Sequence, residues 1–150
     1  MSQTILLVED NASDVKLTRL AFKNCGVANE VVVVGDGAAA LDYLFATGAY
    51  VARDATVLPR LILLDIKLPK IDGLEVLRQL RGDPRTELVP VVILTSSKQD
   101  EDVLRGYALG ANGYVRKPVE FANFAAAAKT VGLFWLLLNE PPPPTQKDFS

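Results

Sequence analysis

The sequence has no histidine at all, and this absence excludes more than any motif includes. Imidazole metal sites, Ser-His-Asp triads and histidine acid–base chemistry are all ruled out. There is one cysteine, Cys25, so no disulfide can form within the chain, and a reducing cytoplasm is the natural compartment. Long apolar runs are also missing near the start, where Ile5–Val8 spans four residues; neither a signal peptide nor a membrane span is expected. Charge of one sign does not dominate. Sixteen Lys and Arg stand against 18 Asp and Glu, giving a net charge of −2, and no basic block is present. Nucleic acid is therefore not an expected partner, nor is a membrane. With 150 residues, 49% of them hydrophobic, the chain can build one good core but not two.

What is present is a series of short β-prone runs: ILLV at 5–8, VVVV at 31–34, LILL at 61–64, PVVIL at 90–94 and the weaker GYV at 113–115. The first four do not alternate with polar residues, as expected of strands covered on both faces in a parallel sheet. Segments with helical spacing separate them. The first carries Val15, Leu17, Leu20, Ala21 and Phe22, with Ser13 or Asp14 near its start and Gly26 after its end. Ala38 to Phe45 form the second. Leu74, Val76, Leu77 and Leu80 mark the third, stopped by Gly82 and Pro84. Val103, Leu104, Tyr107, Ala108 and Leu109 mark the fourth, closed by Gly110, and the fifth runs from about Phe121 to Leu138. Asp36-Gly37 and Asp72-Gly73 read as turns into helices two and three, without catalytic roles. Five strands alternating with five helices predict an α/β fold, a doubly wound parallel sheet covered on both faces. Residues 1–140 make the predicted domain. Residues 48–60 are a long connection, and 141–150, opening on four prolines, are a predicted disordered tail.

Ligand sites in such sheets lie beyond the carboxyl ends of the strands. The first strand ends in Glu9-Asp10 and the third in Asp65. Polar residues commonly end strands because loops are solvated, but three acids closing one edge weaken that explanation. If strands one and three are neighbours, the acids converge, and each pair repels by on the order of 4 kcal/mol at about 4 Å under an effective dielectric near 20. A hard divalent cation relieves this. Mg²⁺ fits best, since it uses one or two carboxylates and keeps several waters, and Mn²⁺ or Ca²⁺ are alternatives. Thr95 after the fourth strand and Lys117 after the fifth add a hydroxyl and an ammonium at the same edge, suited to a phosphoryl group. Each taken alone reads as an ordinary turn cap or surface lysine.

Together, Glu9-Asp10, Leu63-Leu64-Asp65, Pro69, Asp72-Gly73, Thr95-Ser96 and Lys117-Pro118 resemble the receiver (CheY-like response regulator) family over residues 4–138. The resemblance implies a flavodoxin-like five-stranded sheet of order 2-1-3-4-5. It implies that Asp65 is the nucleophile that accepts a phosphoryl group from a partner histidine kinase. Asp10 would bind the metal directly, Glu9 mostly through water, and Lys67 by its backbone carbonyl. Thr95 and Lys117 would bind the phosphoryl group. Tyr114 would be the switch aromatic that follows Thr95, although a half-buried packing role explains a tyrosine there equally well. Lys117-Pro118 resembles the family's cis peptide. The protein would catalyse its own phosphotransfer and a slow self-dephosphorylation tuned by Lys67 and Ser97, without being a dedicated enzyme, and would signal by shape change without an output domain.

The fifth helix closes on Val131, Leu133, Phe134, Trp135, Leu136, Leu137 and Leu138, apolar around nearly its whole circumference. A surface helix should keep a polar face. The expected cover is a second copy of the chain, through helix four, strand five and helix five, with Phe134, Trp135 and Leu138 at the contact. The long 48–60 segment and the Phe134-Trp135-Leu136 run are similar to the receivers paired with bacterial phytochromes, which makes a phytochrome-type kinase the expected partner. Three other functions compete with this one. A phosphorylation-independent adaptor does not need the intact acids, Thr95 and Lys117, whereas a phosphate sink that only drains its kinase keeps them. An FMN-binding flavodoxin would carry a Ser/Thr/Gly-rich first loop in place of Glu9-Asp10-Asn11. A hydrolase would need a second acid–base group that the sequence does not supply.

Overall fold

A computed structural model of the chain describes residues 4–24, 29–95 and 105–116. Chain order gives β1 (Ile5–Val8), α1 (Ala12–Asn24), β2 (Val31–Val34), α2 (Gly37–Phe45), a 3₁₀ turn (Gly48–Tyr50), β3 (Leu61–Leu64), α3 (Gly73–Arg81), β4 (Val91–Thr95) and β5 (Gly113–Arg116). Residues 105–108 are also helical. The expected fifth helix and the proline-rich tail lie outside the described residues.

The strands form one parallel sheet in the order β2-β1-β3-β4-β5. Interior strand β1 pairs Ile5 with Val31 on one side and with Leu61 on the other, and its last residue, Val8, pairs with Val34 and Leu64. Side chains alternate across the sheet, which explains the unbroken apolar runs: each face has its own core. Leu6, Val8, Ile62, Leu64, Val91 and Ile93 pack with Tyr43 and Leu44 of α2 and with Leu74, Leu77 and Leu80 of α3. Ile5, Leu7, Leu61, Leu63, Val92 and Leu94 pack with Leu17 and Phe22 of α1. Each such side chain contributes roughly 1.5–3 kcal/mol by leaving water.

The helix starts are fixed by side chains. Asp36 accepts the Ala39 amide at 2.7 Å, and Asp72 accepts the Glu75 amide at 3.0 Å, so both Asp-Gly pairs open helices as the sequence predicts. The first helix begins earlier than the sequence suggested. Its cap is Asn11, whose Oδ1 accepts the Asp14 amide at 3.0 Å, and Ser13 and Asp14 fall inside the first turn. Asn and Ser are comparable caps, so residue type alone does not choose between them. The fourth strand has the predicted length but is shifted by one residue: it starts at Val91 rather than Pro90, and Thr95 is its last residue, paired with Arg116 of β5.

The 48–60 connection folds back on α2. The Arg53 guanidinium lies 3.9 Å above the Tyr43 ring and donates to the Tyr43 and Val57 carbonyls. Tyr50 meets Tyr43 edge to face, with ring centroids 5.2 Å apart.

Candidate functional site

The site begins with strand register. Because Val8 and Leu64 are opposite one another, the residues that follow them leave the sheet side by side. Two backbone bonds carry the alignment one residue further: the Glu9 amide donates to the Val34 carbonyl at 3.0 Å, and the Asp65 amide donates to the Val8 carbonyl at 3.0 Å. Glu9 and Asp65 are thus held as extensions of the ladder. They are only 4% and 6% exposed, unusual for carboxylates, whereas Asp10 at the rim is open to solvent. One carboxylate oxygen from each of Glu9, Asp10 and Asp65 lies within 4.8 Å of the other two. The convergence expected from the order of elements is therefore present.

Two loops hold the acids in place. After β1, the Asn11 amide donates to Glu9 Oε2 at 3.2 Å while the Asn11 side chain caps α1. Asn11 so links the orientation of Glu9 to the start of the helix. The expected cap was Ser13 or Asp14, though an Asn ahead of an apolar helical stripe is itself a cap signal. After β3, the Lys67 amide donates to Asp65 Oδ1 at 3.3 Å, and the Gly73 amide donates to the Ile66 carbonyl at 2.8 Å. A Cβ on Gly73 would stand 2.0 Å from the Asp65 carbonyl oxygen. The glycine is required by close approach of α3 to the Asp65 backbone, a function beyond the turn expected of Asp72-Gly73.

The donor set tests the expectation of a metal. Three carboxylates within 4.8 Å supply oxygen ligands only, two buried and one facing water, which suits a hard divalent cation that keeps part of its hydration shell. The residues fit. Of the remaining predicted site residues, Thr95 ends β4, paired with Arg116, and Tyr114 of β5 pairs with Ile93 of β4. Lys117, Phe134, Trp135 and Leu138 lie outside the described residues, as does the Lys117-Pro118 bond.

The sequence profile of the response regulator receiver domain matches residues 5–129. The chain belongs to this family. Among curated relatives, the receiver is 39% identical over 140 residues to the probable methanogenesis regulatory protein FilR2 of Methanothrix harundinacea, covering 93% of this chain and 88% of that one. It is 36% identical over 134 residues to response regulator Rcp1 of Synechocystis sp., covering 89% of both chains. Among solved structures, the phosphorylated cyanobacterial phytochrome response regulator RcpA superposes with a TM-score of 0.88 at 38% identity, over 95% of this chain and 100% of that one. The Mn(2+)-bound form of Rcp1 gives 0.87 at 35% identity, over 94% and 99%. The bacteriophytochrome response regulator RtBRR gives 0.75 at 52% identity, over 96% and 86%. The flavodoxin-like sheet order predicted for this receiver is the one observed.

Proposed function

We propose that this receiver accepts a phosphoryl group on Asp65 from a phytochrome-type histidine kinase, with Mg²⁺, and passes the event on by changing shape. The observation that carries the reading is the placement of a nearly buried Asp65 carboxylate within 4.8 Å of the Glu9 and Asp10 carboxylates at the end of β3. Burial excludes competing water, and fixed backbone bonds on both sides of Asp65 orient the carboxylate for in-line attack. One Asp65 oxygen forms a bond to phosphorus as the bond from phosphorus to the kinase's imidazole nitrogen breaks. The electron pair returns to the ring, which takes its proton from solvent. The product is an acyl phosphate, and no proton need move on the receiver itself, consistent with its lack of histidine.

Glu9, Asp10, Asp65 and the Lys67 carbonyl would hold the cation, which when bound offsets the charge gathered by three carboxylates and a phosphoryl group. Thr95 and Lys117 would bind the phosphoryl oxygens, and Tyr114 would follow Thr95. A few charge-assisted bonds, at about 1.5–3 kcal/mol each, match the roughly 5.5 kcal/mol needed to carry a two-state equilibrium from 1:99 to 99:1. The phytochrome assignment draws on the likeness to RcpA and to RtBRR. A homodimer through the helical segment at 105–108, β5 and the apolar 131–138 run, with Phe134, Trp135 and Leu138 at its centre, would cover that run. A cytoplasmic setting accords with the single cysteine, and among the described residues no helix is long and apolar enough to cross a membrane.

Acetyl phosphate with Mg²⁺, followed on phosphate-affinity gels, tests the acceptor. The wild type should shift and Asp65→Asn should not; an unshifted wild type, or a shifted Asp65→Asn, rejects the assignment. Phosphotransfer from a phytochrome kinase should be much faster than from unrelated kinases, and equal rates would remove the photoreceptor link. Light scattering with and without beryllofluoride tests the dimer, which a monomer in both states would exclude.

A further inference from the structure

The loop that leaves Asp65 does not run free to α3. Its crest, Pro69 to Ile71, rests on the first turn of α2. The Gly37 amide donates to the Pro69 carbonyl at 3.4 Å, and Lys70 pairs with Asp36 at 3.6 Å while holding a left-handed φ of +67°. A Cβ built on Gly37 would stand 1.8 Å from the Ile71 carbonyl oxygen, 2.7 Å from its carbonyl carbon and 2.9 Å from its Cβ. Two of those atoms are backbone and cannot rotate away. Neighbouring Gly35 has nothing within 4 Å of the same construction, so the demand for glycine is specific to position 37.

Which side would yield decides the consequence. Helix α2 is anchored along its length: Tyr43 and Leu44 are in the core, Asp36 caps its start, and Tyr50 and Arg53 brace Tyr43 from the far side. The loop is the softer partner: Leu68 and Ile71 touch the core, but Lys67, Pro69 and Lys70 between and around them are exposed, and no regular element holds the crest. A side chain at 37 therefore displaces the loop, and the loop is continuous with the Lys67 amide bonded to Asp65 and with the Gly73 amide bonded to Ile66.

We propose that Gly37, a residue of another helix with no contact to the reacting atoms, is a positioning residue for the Asp65 loop, acting through the backbone of Ile71. The inference rests on the reading of Asp65 and its neighbours as a metal-dependent phosphoacceptor. Displacement by about 1 Å at a distance can cost on the order of 100-fold in rate. The test is Gly37→Ala against Gly35→Ala, with two readouts: Mn²⁺ affinity, from the paramagnetic resonance signal of the free ion, and the rate of labelling by acetyl phosphate. Gly37→Ala should lose about 10- to 100-fold in both while keeping a native circular dichroism spectrum, and Gly35→Ala should match the wild type. Should Gly37→Ala fail to fold, the double variant Gly37→Ala/Lys70→Gly relieves the left-handed residue and lets the loop recede. It should fold and still bind Mn²⁺ weakly. Wild-type affinity and rate in folded Gly37→Ala, or in the double variant, overturn the inference while leaving the phosphoacceptor reading intact. A wild type that takes up neither Mn²⁺ nor phosphoryl group sinks both.

Discussion

The Asn112 side-chain carbonyl accepts from the Arg81 guanidinium at 2.8 Å and, at the same distance, from the Val91 amide. Arg81 also donates to the carbonyls of Gly110 at 2.8 Å, Glu87 at 3.0 Å and Val89 at 2.8 Å. One side chain from the end of α3 thereby ties the start of β4 to the turn before β5. No carboxylate is among these partners, and burial pushes the Arg81 pKa down. Arg81→Met leaves several carbonyls short of a donor and should cost about 2–4 kcal/mol in urea unfolding. Arg81→Lys should recover little of it, because a single ammonium cannot reproduce a planar fork with donors in several directions. A loss under about 0.5 kcal/mol for Arg81→Met, the range of ordinary surface changes, would contradict the assignment.

The acidic cluster predicts a metal-dependent melting temperature. A cation that binds only the folded state adds about 2.7 kcal/mol at 100 times its dissociation constant, worth roughly 5–10 °C in a domain of this size. Wild-type protein should show this rise on addition of Mg²⁺. Asp10→Asn should weaken binding by at least about tenfold, the least that loss of even an outer-shell partner typically costs, and shift the response to correspondingly higher Mg²⁺. The same rise at the same concentration in Asp10→Asn would place the ion elsewhere.

Glu75 supplies a pH prediction. Hydrogen bonds from Arg78 and then Gln79 hold its carboxyl down to about 2 from an ordinary 4.5, with the Arg78 charge acting in the same direction. The bidentate contact, at 2.8 and 2.5 Å, accounts for the order of these causes. Since the folded-state value is the lower one, the stabilisation is complete above the unfolded value near 4.5 and is lost as pH falls from there toward 2. The pair is exposed, so solvent screens it and the effect on global stability is small. Carbon-detected NMR should find Glu75 titrating well below the other glutamates, and Arg78→Gln should move it back toward 4.5. A Glu75 already titrating with the others in the wild type would refute the pairing.

Much of this was readable in the sequence because its signals are local. Unbroken runs such as LILL mark strands covered on both faces, and both cores bear that out. Glu9-Asp10 and Asp65 declare a site because each ends such a run, and only the pairing of β1 with β3 had to be supplied. What was not legible depends on contacts between distant segments. That Gly37 faces Ile71, or that Arg81 reaches Asn112, follows from the packing of whole elements and leaves no periodic trace. The misplaced start of α1 has a different origin: Asn11, Ser13 and Asp14 are all good caps, and only backbone geometry selects the first.

The 48–60 connection should behave as a separately secured piece. Its residues are mostly exposed, Val51 by 74%; its end is held by Leu58 against the core and by the Arg60 amide on the Thr4 carbonyl, and its first half by Arg53 and Tyr50 on Tyr43. A cation–π contact of this kind is worth about 0.5–2 kcal/mol, small beside the two sheet-backed cores. Arg53→Ala removes that contact together with the bonds to the Tyr43 and Val57 carbonyls, so the segment should open more often while the rest of the domain stays closed. Limited proteolysis should cut Arg53→Ala within 48–60 several-fold faster than wild type, with the global unfolding midpoint changing by the equivalent of about 1 kcal/mol or less. Cleavage at the wild-type rate would show that Arg53 does not secure the segment. A large fall in global stability would show instead that this segment is part of the cooperative core, bound to α2 more strongly than its exposed surface suggests.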